Sequence, residues 1–183
     1  MDEVAAHSLH TLYVLRHAKS SWEEPGLEDH ERPLAPRGRK AAAKLSHHLH
    51  EAAIEPELVL CSSARRARET YEAVRPSGEV VVEPALYGAT AGEVIERLRE
   101  VPESTSSAMI IGHNPTMQLL VLWLASPHFS PQGSARGDNA ELEDVREKFP
   151  TCALATLAFG CPWQELGPGG AELTGVVGPA DLD

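Results

Sequence analysis

Short apolar runs alternate with segments of helical spacing along most of this chain, and that alternation admits few folds. Residues 12–15, 58–61, 80–82, 108–111 and 152–159 each have the length of a buried strand. A last strand is expected near residues 173–177. Between the first two runs, Ala41, Ala42, Leu45, Leu49, Ala52 and Ala53 fall at helical spacing, and Pro36 suits the first turn of that helix. Ser62 or Ser63 can cap a helix over residues 66–74. Thr90-Ala91-Gly92-Glu93 matches a capping box ahead of the apolar face Val94, Ile95, Leu98 and Val101. Asn114-Pro115 reads as the cap and first residue of a helix reaching residue 125. Strands alternating with helices imply an α/β fold, a three-layer sandwich whose mostly parallel central sheet is covered on both faces.

A chain of 183 residues can bury a substantial core, and a single domain over residues 11–183 is expected after a flexible lead-in at residues 1–10. Residues 126–140, rich in Ser, Pro and Gly, read as a mobile excursion. Cys61, Cys152 and Cys161 are odd in number and lack close metal-ligand spacing, so a reducing, cytoplasmic setting is expected. Residues 1–10 lack the apolar stretch of a secretory signal, and residues 119–125 are too few to span a bilayer.

The formal net charge is −11 and is unevenly spread. Residues 1–75 hold 11 Lys/Arg against 12 Asp/Glu, whereas residues 76–183 hold 5 against 15. An acidic body argues against general binding to nucleic acid or an anionic membrane. A local anion site on the basic half is compatible with it.

In an open α/β sheet, ligands bind beyond the carboxyl ends of the strands. The first strand delivers Arg16 and His17 there. The second delivers Ser62-Ser63-Ala64-Arg65-Arg66-Ala67, with arginines in the first turn of a helix, and the fourth delivers His113 just before another helix. Helix N-termini attract anions, and guanidinium forks suit phosphoryl oxygens. A neutral imidazole is a good nucleophile near pH 7 and can hold a phosphoryl group covalently. Each element also has a plainer use. Arg-His can end in a surface loop, Ser-Ser can serve only as a cap, and Arg65, Arg66 and Arg68 can form a solvated face. Joint placement at three strand ends favours a phosphate pocket built from His17, Arg16, Arg66 and His113. His47, His48 and His50 lie near the end of an exposed helix; His7, His10, His30 and His128 fall in expected loops, and none of these is given a role.

The segment Leu12-Tyr13-Val14-Leu15-Arg16-His17-Ala18-Lys19-Ser20-Ser21-Trp22 resembles the first motif of the histidine phosphatase superfamily, whose fold is phosphoglycerate-mutase-like. Glu31-Arg32-Pro33-Leu34 with Arg37-Gly38, Cys61-Ser62-Ser63-Ala64-Arg65-Arg66-Ala67-Arg68-Glu69-Thr70, Ile111-Gly112-His113-Asn114-Pro115 and Lys148-Phe149-Pro150-Thr151 are similar to its small SixA-type phosphohistidine phosphatase branch. The likeness runs in order over about residues 11–180. It implies that His17 accepts the phosphoryl group, with Arg16, Arg66 and His113 completing the pocket. Arg66 is preferred because it precedes Ala67 in the Arg-Ala pair, with Arg65 as fallback.

One departure from the superfamily pattern carries information. Residues 83–89 read Glu83-Pro84-Ala85-Leu86-Tyr87-Gly88-Ala89, without the Leu-x-Glu that supplies a proton donor in the mutases and many related phosphatases. Glu83 and Glu93 remain candidates. The asparagine that often follows the first motif is also absent, with Glu23 near its place. An alkoxide leaving group needs a proton badly, whereas an imidazole leaving a phosphoramidate needs less help.

The resemblance therefore implies a phosphatase that cleaves the P–N bond of phosphohistidine on a protein partner. That chemistry requires no cofactor or metal, and the acidic charge argues against nucleic acid or a membrane as partner. The rivals are a small-molecule phosphomonoesterase of the same superfamily, a non-catalytic phosphate-binding module, and a metal site on His17 and His113.

Overall fold

A computed structural model describes residues 9–126 and 140–182. Six strands, β1 (His10–Arg16), β2 (Leu58–Ser62), β3 (Glu79–Glu83), β4 (Ser107–Gly112), β5 (Leu154–Phe159) and β6 (Glu172–Val177), form one sheet in the order β3-β2-β4-β1-β5-β6. The pairings β2–β3, β2–β4 and β1–β4 are parallel; β5 runs against both β1 and β6. Among the described residues, five helices flank it: α1 (Pro36–Glu51), α2 (Arg65–Val74), α3 (Ala91–Arg99), α4 (Thr116–Ala125) and α5 (Ala140–Glu147).

Strand side chains alternate between the two faces, so each strand feeds two cores. Leu15, Val59, Cys61, Met109, Ile111 and Leu154 meet Ala42, Leu45 and Leu49 of α1 and Ala67 and Val74 of α2. Leu12, Val14, Leu60, Ile110, Ala155 and Leu157 meet the apolar faces of α3, α4 and α5 on the other side. The molecule is therefore an α/β three-layer sandwich, as the alternation implies. Among the described residues no helix is long and apolar enough to cross a membrane.

Local chemistry explains where elements begin. The Thr90 side chain accepts from the Glu93 amide and the Glu93 carboxylate accepts from the Thr90 amide, closing the expected capping box. Pro36 opens α1. Two residues later Gly38 is required, because a Cβ there would lie 2.2 Å from the Lys19 carbonyl oxygen. That close approach draws the loop after β1 onto the start of α1.

Several expectations are corrected. The chain enters the sheet at His10, inside the expected lead-in. His10 is 1% exposed, with Nε2 2.8 Å from a Glu103 oxygen and Nδ1 3.2 Å from the Thr105 carbonyl. Residues 1–8, with His7, and residues 127–139, with His128, lie outside the described residues. Neither Ser62 nor Ser63 caps α2; Ala64 occupies that position with no side-chain bond. Pro115, not Asn114, is the cap residue of α4, although Asn114 Oδ1 still accepts from the Gln118 amide at 3.3 Å. The fifth strand starts at Leu154 rather than residue 152. Cys152 is left-handed (φ 65°), and its amide donates to the carbonyls of Arg16 and His17 at 3.0 and 3.1 Å, outside the ladder.

Candidate active site

Register brings the three strand ends together. Arg16 pairs with Gly112 across β1–β4, and Cys61 pairs with Ile111 across β2–β4. His17, Ser62 and His113 therefore emerge side by side at one edge of the sheet. The His17 amide donates to the Gly112 carbonyl at 2.9 Å, and the rings of His17 and His113 are 5.1 Å apart between centroids. Behind His17, the Ala18 amide donates to Thr70 Oγ1 (2.9 Å), whose own proton goes to the Arg66 carbonyl (2.6 Å). That chain of bonds ties the histidine loop to α2.

His17 is 7% exposed. Its Nδ1 lies 2.7 Å from the Ala18 carbonyl oxygen, and a carbonyl only accepts, so Nδ1 carries the proton. The lone pair is left on Nε2, where Arg66 Nε donates at 3.3 Å. Burial pushes the His17 pKa from 6.5 down to about 3; the Ala18 bond opposes the shift, and His113, Arg66 and Arg16 add to it. The imidazole is neutral at pH 7 with one nitrogen available.

Arg66 is 7% exposed and lies in the first turn of α2. Its Nη1 donates to the Asp29 carbonyl at 2.7 Å and its Nη2 to the Asp29 carboxylate at 3.0 Å. Arg65 turns away to Glu69 (2.8 Å) and Arg68 to the Ser63 carbonyl (3.0 Å), so Arg66 is the arginine that meets His17. Arg16 donates through Nη1 to the Phe149 carbonyl at 2.8 Å, and burial lowers its pKa. The same carbonyl accepts from Asn114 Nδ2 at 3.0 Å. His113 is shifted down to about 4, first by burial and then by Arg66, with Asp29 opposing.

Among the described residues, two buried side-chain nitrogens have no hydrogen-bond partner: Arg16 Nε and His113 Nδ1. Buried polar groups are nearly always satisfied, and an orphan costs about 1–3 kcal/mol. Both orphans belong to residues flanking His17.

The site also contains residues without a sequence signal of their own. Asp29 lies in a 3-10 turn at Asp29–Glu31. Its carboxylate accepts from Tyr87 Oη (2.7 Å), Arg32 Nη1 (3.0 Å) and Arg66, and these bonds, Tyr87 first, hold its pKa down at about 2. The Asp29 bond in turn raises the Tyr87 phenol. Tyr87 stands edge-on to His113 (5.6 Å) and to His30 (4.9 Å), and His30 Nε2 lies 3.0 Å from Ser63 Oγ. His30, assigned no role from sequence, thus stands at the rim. The candidate proton donors are engaged elsewhere: Glu83 pairs with Arg97 at 2.7 Å, and Glu93 closes the α3 box. Among the described residues no group of three or more His, Cys, Asp or Glu side chains is arranged to hold a metal.

A buried neutral imidazole among guanidinium groups at the carboxyl edge of an α/β sheet is an arrangement suited to a phosphoryl group. The chain belongs to the histidine phosphatase superfamily, whose branch 1 matches residues 12–109. It is 37% identical over 161 residues to an uncharacterised Mycobacterium tuberculosis protein, covering 88% of this chain and 97% of that one. Its structure is similar to two described as candidate SixA phosphohistidine phosphatases. The Nakamurella multipartitia protein has a TM-score of 0.84 at 29% identity, covering 93% of this chain and 96% of that one. The Agrobacterium tumefaciens protein has a TM-score of 0.76 at 25% identity, covering 93% and 98%. Family and neighbours together support a phosphatase.

Proposed function

We propose that this phosphatase hydrolyses the P–N bond of phosphohistidine on a protein partner through a phosphoryl group held on His17. The observation that carries the reading is the pair of orphaned nitrogens, Arg16 Nε and His113 Nδ1, beside a histidine whose Nε2 is unprotonated and meets only a long 3.3 Å bond from Arg66 Nε. A phosphoryl group brings oxygens for both nitrogens and an electrophilic phosphorus for Nε2. In the first step Nε2 bonds to phosphorus and the bond from phosphorus to the substrate imidazole breaks; the departing imidazole takes its proton from solvent. In the second, water attacks phosphorus, the bond to His17 breaks, and inorganic phosphate leaves. Arg16, Arg66 and His113 stabilise the charge on the equatorial oxygens in both steps.

The choice of leaving group rests on the donor inventory. Glu83 and Glu93 are committed to Arg97 and Thr90, and Asp29 is held ionised. Among the described residues the pocket offers no neutral carboxylic acid, which favours an imidazole over an alkoxide as leaving group. The neighbours described as candidate phosphohistidine phosphatases support the same choice.

A substrate panel tests this reading: a phosphohistidine peptide against sugar phosphates and nucleotides, with and without chelator. Faster turnover of the peptide, unaffected by chelator, is expected. Preference for phosphomonoesters would replace the substrate class. Phosphate or vanadate binding without turnover would indicate a docking module, and loss of activity on chelation would indicate a metal on His17 and His113.

A further inference from the structure

We propose that Ser62 is a positioning residue that fixes the proton of His113 on Nδ1, so that His113 serves the pocket as a neutral N–H donor. The inference deepens the proposed function, since the role of that donor rests on the pocket holding a phosphoryl group.

Ser62 ends β2, is 0% exposed, and has its Oγ 2.7 Å from His113 Nε2. A hydroxyl has one proton to give and two lone pairs. One lone pair accepts the Ala64 amide at 3.3 Å. Among the described residues, His113 Nε2 is the other side-chain or backbone group bonded to that oxygen, and it is the group able to accept. Were Nε2 protonated, the proton of the fully buried serine would have no acceptor among the described residues. The satisfied arrangement has Ser62 donating to Nε2, which puts the imidazole proton on Nδ1. The orphan at Nδ1 is then an open N–H. The opposite tautomer would present a bare lone pair to an anion.

Burial, first, and then the groups facing His113 hold it neutral. Arg66 on α2, Arg16 at the end of β1 and His30 in the Asp29–Glu31 turn oppose a positive charge, Asp29 favours it, and the rings of His17 and Tyr87 flank it. Two adjacent histidines thereby take opposite parts. At His17 a backbone carbonyl holds the Nδ1 proton and frees the Nε2 lone pair. At His113 a serine hydroxyl occupies the Nε2 lone pair and frees the Nδ1 proton. The residue read from sequence as a helix cap sets the second of these states.

The test is long-range proton–nitrogen correlation NMR on protein with 15N-labelled histidine, at pH 7 without ligand. The parent protein is expected to show His113 with Nδ1 protonated and Nε2 unprotonated. Ser62→Ala should shift that tautomer toward Nε2–H, and Ser63→Ala, one residue along, should leave it unchanged. Turnover of a phosphohistidine peptide by Ser62→Ala should fall about 10-fold, less than the roughly 10²–10³ for outright removal of an oxyanion donor. Protonated Nε2 in the parent protein would overturn the proposal, as would an unchanged tautomer or unchanged turnover in Ser62→Ala. If Ser62→Ala does not fold, the parent spectrum alone decides. If the parent protein turns over no phosphohistidine peptide, the proposed substrate falls, while the tautomer measurement still tests Ser62.

Discussion

Strand β1 has a buried histidine at each end. His10, its first residue, is 1% exposed, and His17, the residue after its last, is 7% exposed. His10 finds an acceptor for each ring nitrogen, in Glu103 and the Thr105 carbonyl, and rests against Phe159 and Trp163 at centroid distances of 5.3 and 5.4 Å. Trp163 shares both acceptors through its amide and its indole N–H. His17 has one nitrogen satisfied and the other reached only by a long 3.3 Å bond from Arg66 Nε, with orphaned nitrogens on both flanking residues. One end of the strand spends its polar groups on stability. The other leaves two nitrogens without partners, as the proposed phosphoryl site requires, and burial alone does not tell the two apart; their hydrogen bonds do.

The sharpest way to break this comparison is to truncate each histidine. His17→Ala should reduce phosphohistidine turnover by roughly 10⁴-fold or more, as expected for loss of a covalent nucleophile. It should leave the fold intact by circular dichroism. Turnover surviving in that variant would remove His17 from the chemistry. Next in size, Arg16→Ala and Arg66→Ala should each cost about 10²–10³ in kcat/KM, the range for a charge-stabilising donor. Arg16→Lys should rescue little, because lysine keeps the charge but lacks the orphaned Nε fork.

Acid should separate the two ends through stability. The pKa values of His17 and His113 drop from 6.5 in the unfolded chain to about 3 and about 4 in the fold. Between those values and 6.5 the unfolded chain binds more protons, so stability is full above about pH 6.5 and is lost as pH falls toward 4. Denaturant midpoints measured from pH 7 to 4 should decline, and His17→Gln should flatten the decline. A steeper decline in that variant would contradict the assignment.

The smallest effect is expected at the other end. His10→Ala removes a buried ring packed on Phe159 and Trp163 together with its bonds to Glu103 and the Thr105 carbonyl, both of which keep Trp163 as a donor, and should destabilise the protein by about 1–3 kcal/mol in denaturant titration. The kcat/KM of the folded fraction should stay within about twofold of the parent. A large loss of turnover would mean that the two ends are coupled.

This contrast marks what the sequence made legible. Elements carried by local signals were readable: the Thr90–Glu93 box, Pro36 at α1, and the apolar runs of β1, β2 and β4. His17, Arg16 and His113 could be named because each ends or follows a recognisable strand, and Arg66 because it precedes Ala67 in the Arg-Ala pair; the strand register and α2 then bring them together. Residues whose meaning depends on a distant partner were not readable. Ser62 has the signature of a cap, yet its partner His113 is 51 positions away. His10 sits in a polar lead-in, yet its partners come 93 and 95 residues later. Asp29 lies in a polar loop and gains a role only when α2 brings Arg66 to it, 37 positions on, and Tyr87 arrives from beyond β3.

The central claim is that His17 carries the phosphoryl group during turnover. Its most direct test is to incubate the protein with a radiolabelled phosphodonor, quench rapidly, and map the adduct. A label at residue 17 that is lost in acid and survives base is the expected result. An unlabelled enzyme that still releases phosphate, or a label on any other residue, would contradict it.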